Sequence, residues 1–243
     1  MATHAEAATA GEHGHHGHEA LAHHFDNLEQ QREATALGMW VFIAQEVMFF
    51  GGLFLVYIVY RMKYPDAFAA ASNHLNWKLG TFNTAVLIGS SLTMALAVWA
   101  TQVGRSRKVQ VAFMAATLVL GTVFLGVKAV EYTTKYHDGL IPFAGMFNPT
   151  GEVHFPPEVS IKNIQMFYWI YFAMTGLHAL HMIIGIGILL PIMWAAWRGR
   201  YSPEYHAPVE LFGLYWHFVD IVWIFLFPLL YLLGAHYQSG GGH

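Results

Sequence analysis

The 243 residues contain no cysteine, which removes disulfides, thiolate metal sites and cysteine nucleophiles together. Charge is scarce as well. Asp, Glu, Lys and Arg make up 11% of the chain, where a soluble domain carries about a quarter. The net charge of −3 with histidine neutral suggests no nucleic-acid partner. Nothing near the start reads as a signal peptide: residues 1–37 hold no apolar run of useful length, and Arg32 is their one basic residue. The first spanning helix is therefore expected to drive insertion.

What is present is apolar surface: 56% hydrophobic and 16% aromatic residues. A helix needs about 20 mostly apolar residues to cross the hydrocarbon core, and five segments qualify, at 37–60, 80–102, 109–130, 167–194 and 210–235. Backbone polar groups must pair internally in lipid, and these runs lack the alternation of barrel strands, so each reads as a helix. The fold class is all-α, a polytopic bundle of five transmembrane helices over 37–235. Trp40, Tyr57, Tyr60, Trp77, Trp99, Trp194 and Trp197 fall near segment ends, as an interfacial belt requires.

The flanks differ in character. Residues 1–36 form a polar tail with His4, His13, His15, His16, His18, His23 and His24, and 236–243 a glycine-rich one. Both are expected to be disordered, the first more as a solvated tail than a loose metal binder. A basic turn occupies 103–108, and the long loop is expected over 131–166. With the N-terminus, this turn and the 195–209 loop on one side, that side holds six basic residues and the other five, or six with Lys128. The shortest loops weigh most, and they favour a cytoplasmic N-terminus and an outer C-terminus.

Ionisable residues inside a span are costly, about 2.5–3.5 kcal/mol each on insertion scales, and need a reason. Glu46 lies nine residues into the first span, about 13 Å deep at 1.5 Å per residue. It is either a proton-exchanging carboxyl or a protonated acid bonded to a neighbouring helix, for example at Asn83. His178 and His181 share one face of the fourth span, as do His217 and Asp220 on the fifth. A haem between His178 and His217 is one reading. The favoured one has His217 paired with Asp220, and the other two histidines bonded to carbonyls across the bundle. Gly51-Gly52, Ala85/Gly89 and Gly185/Gly187 are expected to let helices approach closely, and Pro228 to kink the last span. Arg198, Arg200 and His206 are candidates for lipid headgroups, with topology alone as the plain alternative.

Five stretches then become specific. Phe42-Ile43-Ala44-Gln45-Glu46-Val47-Met48-Phe49-Phe50 resembles the glutamate-bearing helix of cytochrome c oxidase subunit III. Asn83-Thr84-Ala85-Val86-Leu87, Glu131-Tyr132, Thr175-Gly176-Leu177-His178-Ala179-Leu180-His181 and Tyr215-Trp216-His217-Phe218-Val219-Asp220-Ile221-Val222-Trp223 match the same family in the same order. The resemblance covers 37–235 and implies the short five-helix bacterial form of that subunit. It implies a V-shaped bundle with structural phospholipids in its cleft, packed on the catalytic subunit I, with subunit II and further oxidase or supercomplex chains as partners. Haem and copper would sit in the partners and none on this chain, which would support proton uptake without being catalytic.

By the same resemblance Glu46 is the family's intramembrane carboxyl. Asn83, Glu131, His178, His181, Glu210, His217 and Asp220 form its polar framework. Leu55 and Val59 depart from the family pattern, where larger or polar groups line the lipid cleft. The long loop exceeds that of the mitochondrial-type subunit. The implied setting is the bacterial cytoplasmic membrane and aerobic respiration with cytochrome c as donor. A quinol oxidase or nitric oxide reductase complex is the nearest alternative. A di-haem cytochrome and a proton-coupled transporter are the readings from other classes, and the latter would show internal repeats that are not found.

Overall fold

The computed structural model describes residues 28–143, 146–149, 153–203 and 205–232. It divides into two units, Met1–Val41 and Phe42–His243. The first is helical over its described residues, and the second carries the bundle.

Six helices follow one another: α1 (Leu28–Lys63), α2 (Pro65–Ser72), α3 (Trp77–Gln102), α4 (Arg107–His137), α5 (Ile161–Trp197) and α6 (Ala207–Phe227), the last continued by a π-helical turn at Pro228–Leu232. Five of them are long and apolar enough to cross a membrane. Each span is longer at one or both ends than the apolar run that betrays it, because a helix continues past the hydrocarbon until a cap stops it. So α1 begins at Leu28, inside the segment expected to be a disordered tail, and the loop expected over 131–166 shrinks because α4 runs on to His137 and α5 starts at Ile161. The remaining tail residues lie outside the described residues.

Local chemistry sets these ends. The Asn76 side chain caps α3, accepting from the backbone N–H groups of Lys78 and Leu79 at 3.1 and 3.2 Å. Helices α3, α4 and α5 each finish on a glycine of positive φ, at Gly104, Gly139 and Gly199. The next residue then donates back into the last turn, Arg105 to Ala100, Leu140 to Lys135 and Arg200 to Ala195 at 2.8–3.0 Å. Only glycine enters that left-handed position without a Cβ penalty. Helix α2 was not expected, although Pro65 at its first turn followed by Asp66 is a helix-start signal.

Helices α3, α4, α5 and α6 close a ring in which each packs on two others. Its centre is Trp216, fully buried, with its indole N–H on Ser90 Oγ at 2.9 Å. The ring fits because Gly121 and Gly185 face it; a Cβ there would come within 3.0 and 2.9 Å of Trp216. Of the small-residue positions expected to mediate close approach, Gly185 does so and Gly89 makes an ordinary contact with Leu120. Gly51, Gly52 and Gly187 meet no such neighbour within 4 Å.

From residue 42 onward α1 joins the ring through long side chains, and its backbone keeps farther off than the ring helices keep from each other. Phe42, Glu46, Phe50 and Tyr57 recur at one-turn or two-turn spacing and so share a face. They meet Tyr215, His181, Phe218 and Phe68 respectively. Pro228, where a kink was expected, is the point at which the α-helical geometry of the last span ends and the chain passes into the π turn. That turn is held by other elements: Tyr57 donates to the Leu229 carbonyl, and Ser72 of α2 to that of Leu230 at 2.6 Å.

Replacing Gly185 with leucine should lower bundle stability by about 1–3 kcal/mol through overpacking against Trp216. Gly187→Ala should leave it unchanged or slightly raised. Denaturation in detergent followed by tryptophan fluorescence separates the two.

Candidate functional site

Hydrocarbon offers side chains no hydrogen bonds, so each polar group in a span must find a protein partner or sit beside an opening. Glu46 finds one on α5: its Oε2 lies 3.2 Å from His181 Nε2, close enough for an ion pair though not aligned as a hydrogen bond. The expected partner Asn83 is elsewhere, donating to the Phe124 carbonyl on α4 at 3.4 Å. One helical turn of α5 fixes the histidine's state. His181 Nδ1 is 2.9 Å from the Leu177 carbonyl of its own helix, which requires a proton on that nitrogen. Nε2 then carries a second proton only as imidazolium. The α1–α5 contact is thus made through His181 Nε2, while Nδ1 is turned to its own helix.

His178, three residues back, differs. It is fully buried between the rings of Phe124 and Trp223, and neither of its nitrogens has a hydrogen-bond partner. The expectation that it bonds a carbonyl across the bundle is not met, and His181 bonds within its own helix. Among the described residues no three His, Asp or Glu converge to hold a metal ion.

The densest polar cluster is one that sequence reasoning saw only in part. Lys128 and Glu131, one turn apart on α4, form an ion pair at 2.8 Å with each side chain 4% exposed. Lys128 also donates to Tyr231 Oη in the π turn at 2.7 Å, and its ammonium lies 4.6 Å from the Trp223 ring centroid. Glu131 accepts from Tyr171 on α5 at 2.9 Å and from Tyr231. Glu131 was an expected framework residue. Lys128 was counted only as a topology charge, although its i,i+3 spacing to Glu131 is a legible signal. Tyr171 and Tyr231 carried none, because nothing in sequence says which aromatic reaches back from a distant helix.

The last-helix pair is also rearranged. His217 and Asp220 share a face of α6, yet His217 Nδ1 is 2.7 Å from Ser91 Oγ on α3. The imidazole thus reaches sideways to α3 and not along its own helix to the carboxyl. At the start of α6, Glu210 accepts from Gln102 and lies 3.3 Å from His206 Nε2. His206 is thus engaged by protein, Arg198 stacks on Trp194 at 3.8 Å, and Arg200 is exposed.

A multi-pass helical membrane protein with a polar interior is the class this geometry defines. Residues 159–235 match the family model described as cytochrome c oxidase subunit III. The chain is 31% identical over 212 residues to the cytochrome c oxidase subunit 3 of Thermostichus vulcanus, covering 86% of this chain and 92% of that one. It is 31% identical over 227 residues to the protein of that name from Synechocystis sp., covering 93% and 82%. With the "Probable quinol oxidase subunit 3" of Staphylococcus aureus it shares 28% over 216 residues, 88% and 96% of the two chains. The chain belongs to the cytochrome c oxidase subunit III family, a subunit of the multi-subunit haem-copper oxidases.

Breaking one half of the Lys128–Glu131 pair should cost about 3–5 kcal/mol, since it strands a buried charge. Lys128→Ala and Glu131→Ala should each lower the unfolding midpoint in detergent strongly, whereas the double variant Lys128→Met/Glu131→Leu should regain most of the loss. Equal damage in all three would show that the pair is not the unit that matters.

Proposed function

We propose that this chain is a non-catalytic subunit III of a proton-pumping haem-copper oxidase in a bacterial cytoplasmic membrane. In this reading it steadies the catalytic subunit I and supports proton uptake, beside subunit II and other oxidase chains, with haem and copper held by those partners. The observation that supports the proton-uptake role is the 3.2 Å approach of the Glu46 carboxyl on α1 to His181 Nε2 on α5 within the membrane span. The other strong ionic contact in the span, Lys128–Glu131, is fastened by tyrosines on both sides and suits a framework better than a proton carrier.

Structural phospholipid is part of the proposal. The stand-off between α1 and the ring, bridged only by a single face of α1, is the kind of cleft acyl chains fill. Arg198 and Arg200 are the headgroup candidates that keep their guanidinium groups near the surface; His206 is the weaker one, because Glu210 already holds it. The N-terminus is assigned to the cytoplasm and the C-terminus to the outer side, from the basic 103–108 turn. Cytochrome c is the favoured electron donor. Quinol is the second reading, favoured by the staphylococcal relative named for it.

Purification from the native membrane should give haem bands on a co-purifying subunit and none on this chain. A Soret band that follows this chain alone would overturn the proposal. Within the intact complex, Glu46→Gln should assemble normally and keep oxygen reduction, with proton uptake lowered about two- to fivefold. That is less than the 10²–10⁴ that removing a direct acid–base catalyst costs. Abolished oxygen reduction would make Glu46 more central than an accessory role allows.

A further inference from the structure

Gly51 and Gly52 sit side by side in α1, and neither packs on anything: a Cβ at either would meet no atom within 4 Å. Small residues in a span commonly let a second helix come close, yet the α1 backbone stands off from the ring. The pair therefore serves no contact within this chain. It does soften its own helix. Glycine adds backbone freedom that alanine lacks, and paired small residues of this kind are where helices bend.

The two sides of the pair are held differently. On the C-terminal side α1 is fixed. Tyr57 is fully buried, donates to the Leu229 carbonyl, accepts from Arg61 at 3.3 Å and packs edge-on against Phe68 of α2. Phe68 packs in turn on Phe167 of α5, and Ser72 at the end of α2 donates to the Leu230 carbonyl. Helix α2 follows α1 after Tyr64 alone, so this anchor continues directly from the Tyr57 end.

On the N-terminal side, Phe42 lies beside Tyr215, Glu46 beside His181, and Phe50 beside His181 and Phe218. The rings stand 5.3–6.2 Å apart between centroids, and the Glu46 contact lacks hydrogen-bond alignment. The apolar stretch of α1 is 17% buried, the least of the five spans. Phe50 is the last residue of this loosely held segment, and the glycines follow it at once.

Small bends suffice to matter. Glu46 lies five residues before Gly51, about 7.5 Å along the axis at 1.5 Å per residue, so a bend of about 10° shifts it by about 1.3 Å. Directed away from α5, that shift takes the carboxyl from 3.2 Å to about 4.5 Å from His181 Nε2, past the reach of an ion pair. Tyr57 stays seated throughout.

We propose that Gly51-Gly52 is a hinge on which the Phe42–Phe50 segment swings against the anchored Tyr57 end, making and breaking the Glu46–His181 contact. The carboxyl is thereby presented either to His181 or to the space between α1 and the ring. This deepens, and in its consequence rests on, the reading of Glu46 as the group behind proton uptake.

The test uses the complex purified from its native membrane, with nitroxides carried on p-acetylphenylalanine at the exposed positions Ala44 and Lys108. Pulsed dipolar spectroscopy reads the distribution of distances between them. In Gly51→Ala/Gly52→Ala that distribution should be about half as wide as in the unchanged chain, since each alanine stiffens the helix. Both alanines enter without a clash, and so does Gly187→Ala on α5, which should leave the width unchanged. Equal widths with and without the alanine pair would overturn the hinge and leave the Glu46 reading standing. Loss of a neighbouring subunit from the double variant would overturn it too, because the glycines would then seat another helix. Narrowing by the alanine pair, together with unaltered proton uptake in Glu46→Gln, would support the hinge and fail the Glu46 reading.

Discussion

Lys128 on α4 is a buried amine inside a candidate membrane span, and much of the architecture answers to it. Its charge is balanced one turn away by Glu131, its second donor goes to Tyr231, and the Trp223 ring covers it. Glu131 is completed in turn by Tyr171 and Tyr231. Four groups from α4, α5 and the π turn therefore meet at one place. This constraint explains why the last span departs from α-helical geometry where it does: the turn must carry Tyr231 inward and present its carbonyls to Tyr57 and Ser72.

The bundle thus has two styles of cohesion. Between α3, α4, α5 and α6 it is tight, with Trp216 seated on Gly121 and Gly185 and polar bonds spanning each contact. Between α1 and that ring it is a single stripe of long side chains that includes the Glu46–His181 contact. A tight contact excludes lipid and fixes geometry. A contact made by long side chains leaves space between the backbones.

Much of this was legible along the chain. Length and apolarity are local properties, so all five spans were found, and so was the inward-facing set from Glu46 to Asp220. The ends were less legible, because caps at Asn76 and at Gly104, Gly139 and Gly199 act over two or three residues that apolar counting averages away. Pairings were the least legible. Asn83 was a sensible partner for Glu46 by composition, and His217 for Asp220 by spacing, yet both reach other helices.

By itself the sequence determined which segments enter the membrane and which polar residues go with them, since the cost of burying a group in lipid depends on that group alone. Only the tertiary structure decided how those residues divide. Lys128 and Glu131 join a closed cluster with Tyr171 and Tyr231, Glu46 meets His181, and His217 bonds Ser91. The reason is geometric: a hydrogen bond is set by ångström-scale distance and direction across elements up to 172 residues apart in the chain, and helical rotation and tilt fix both without appearing in any local pattern.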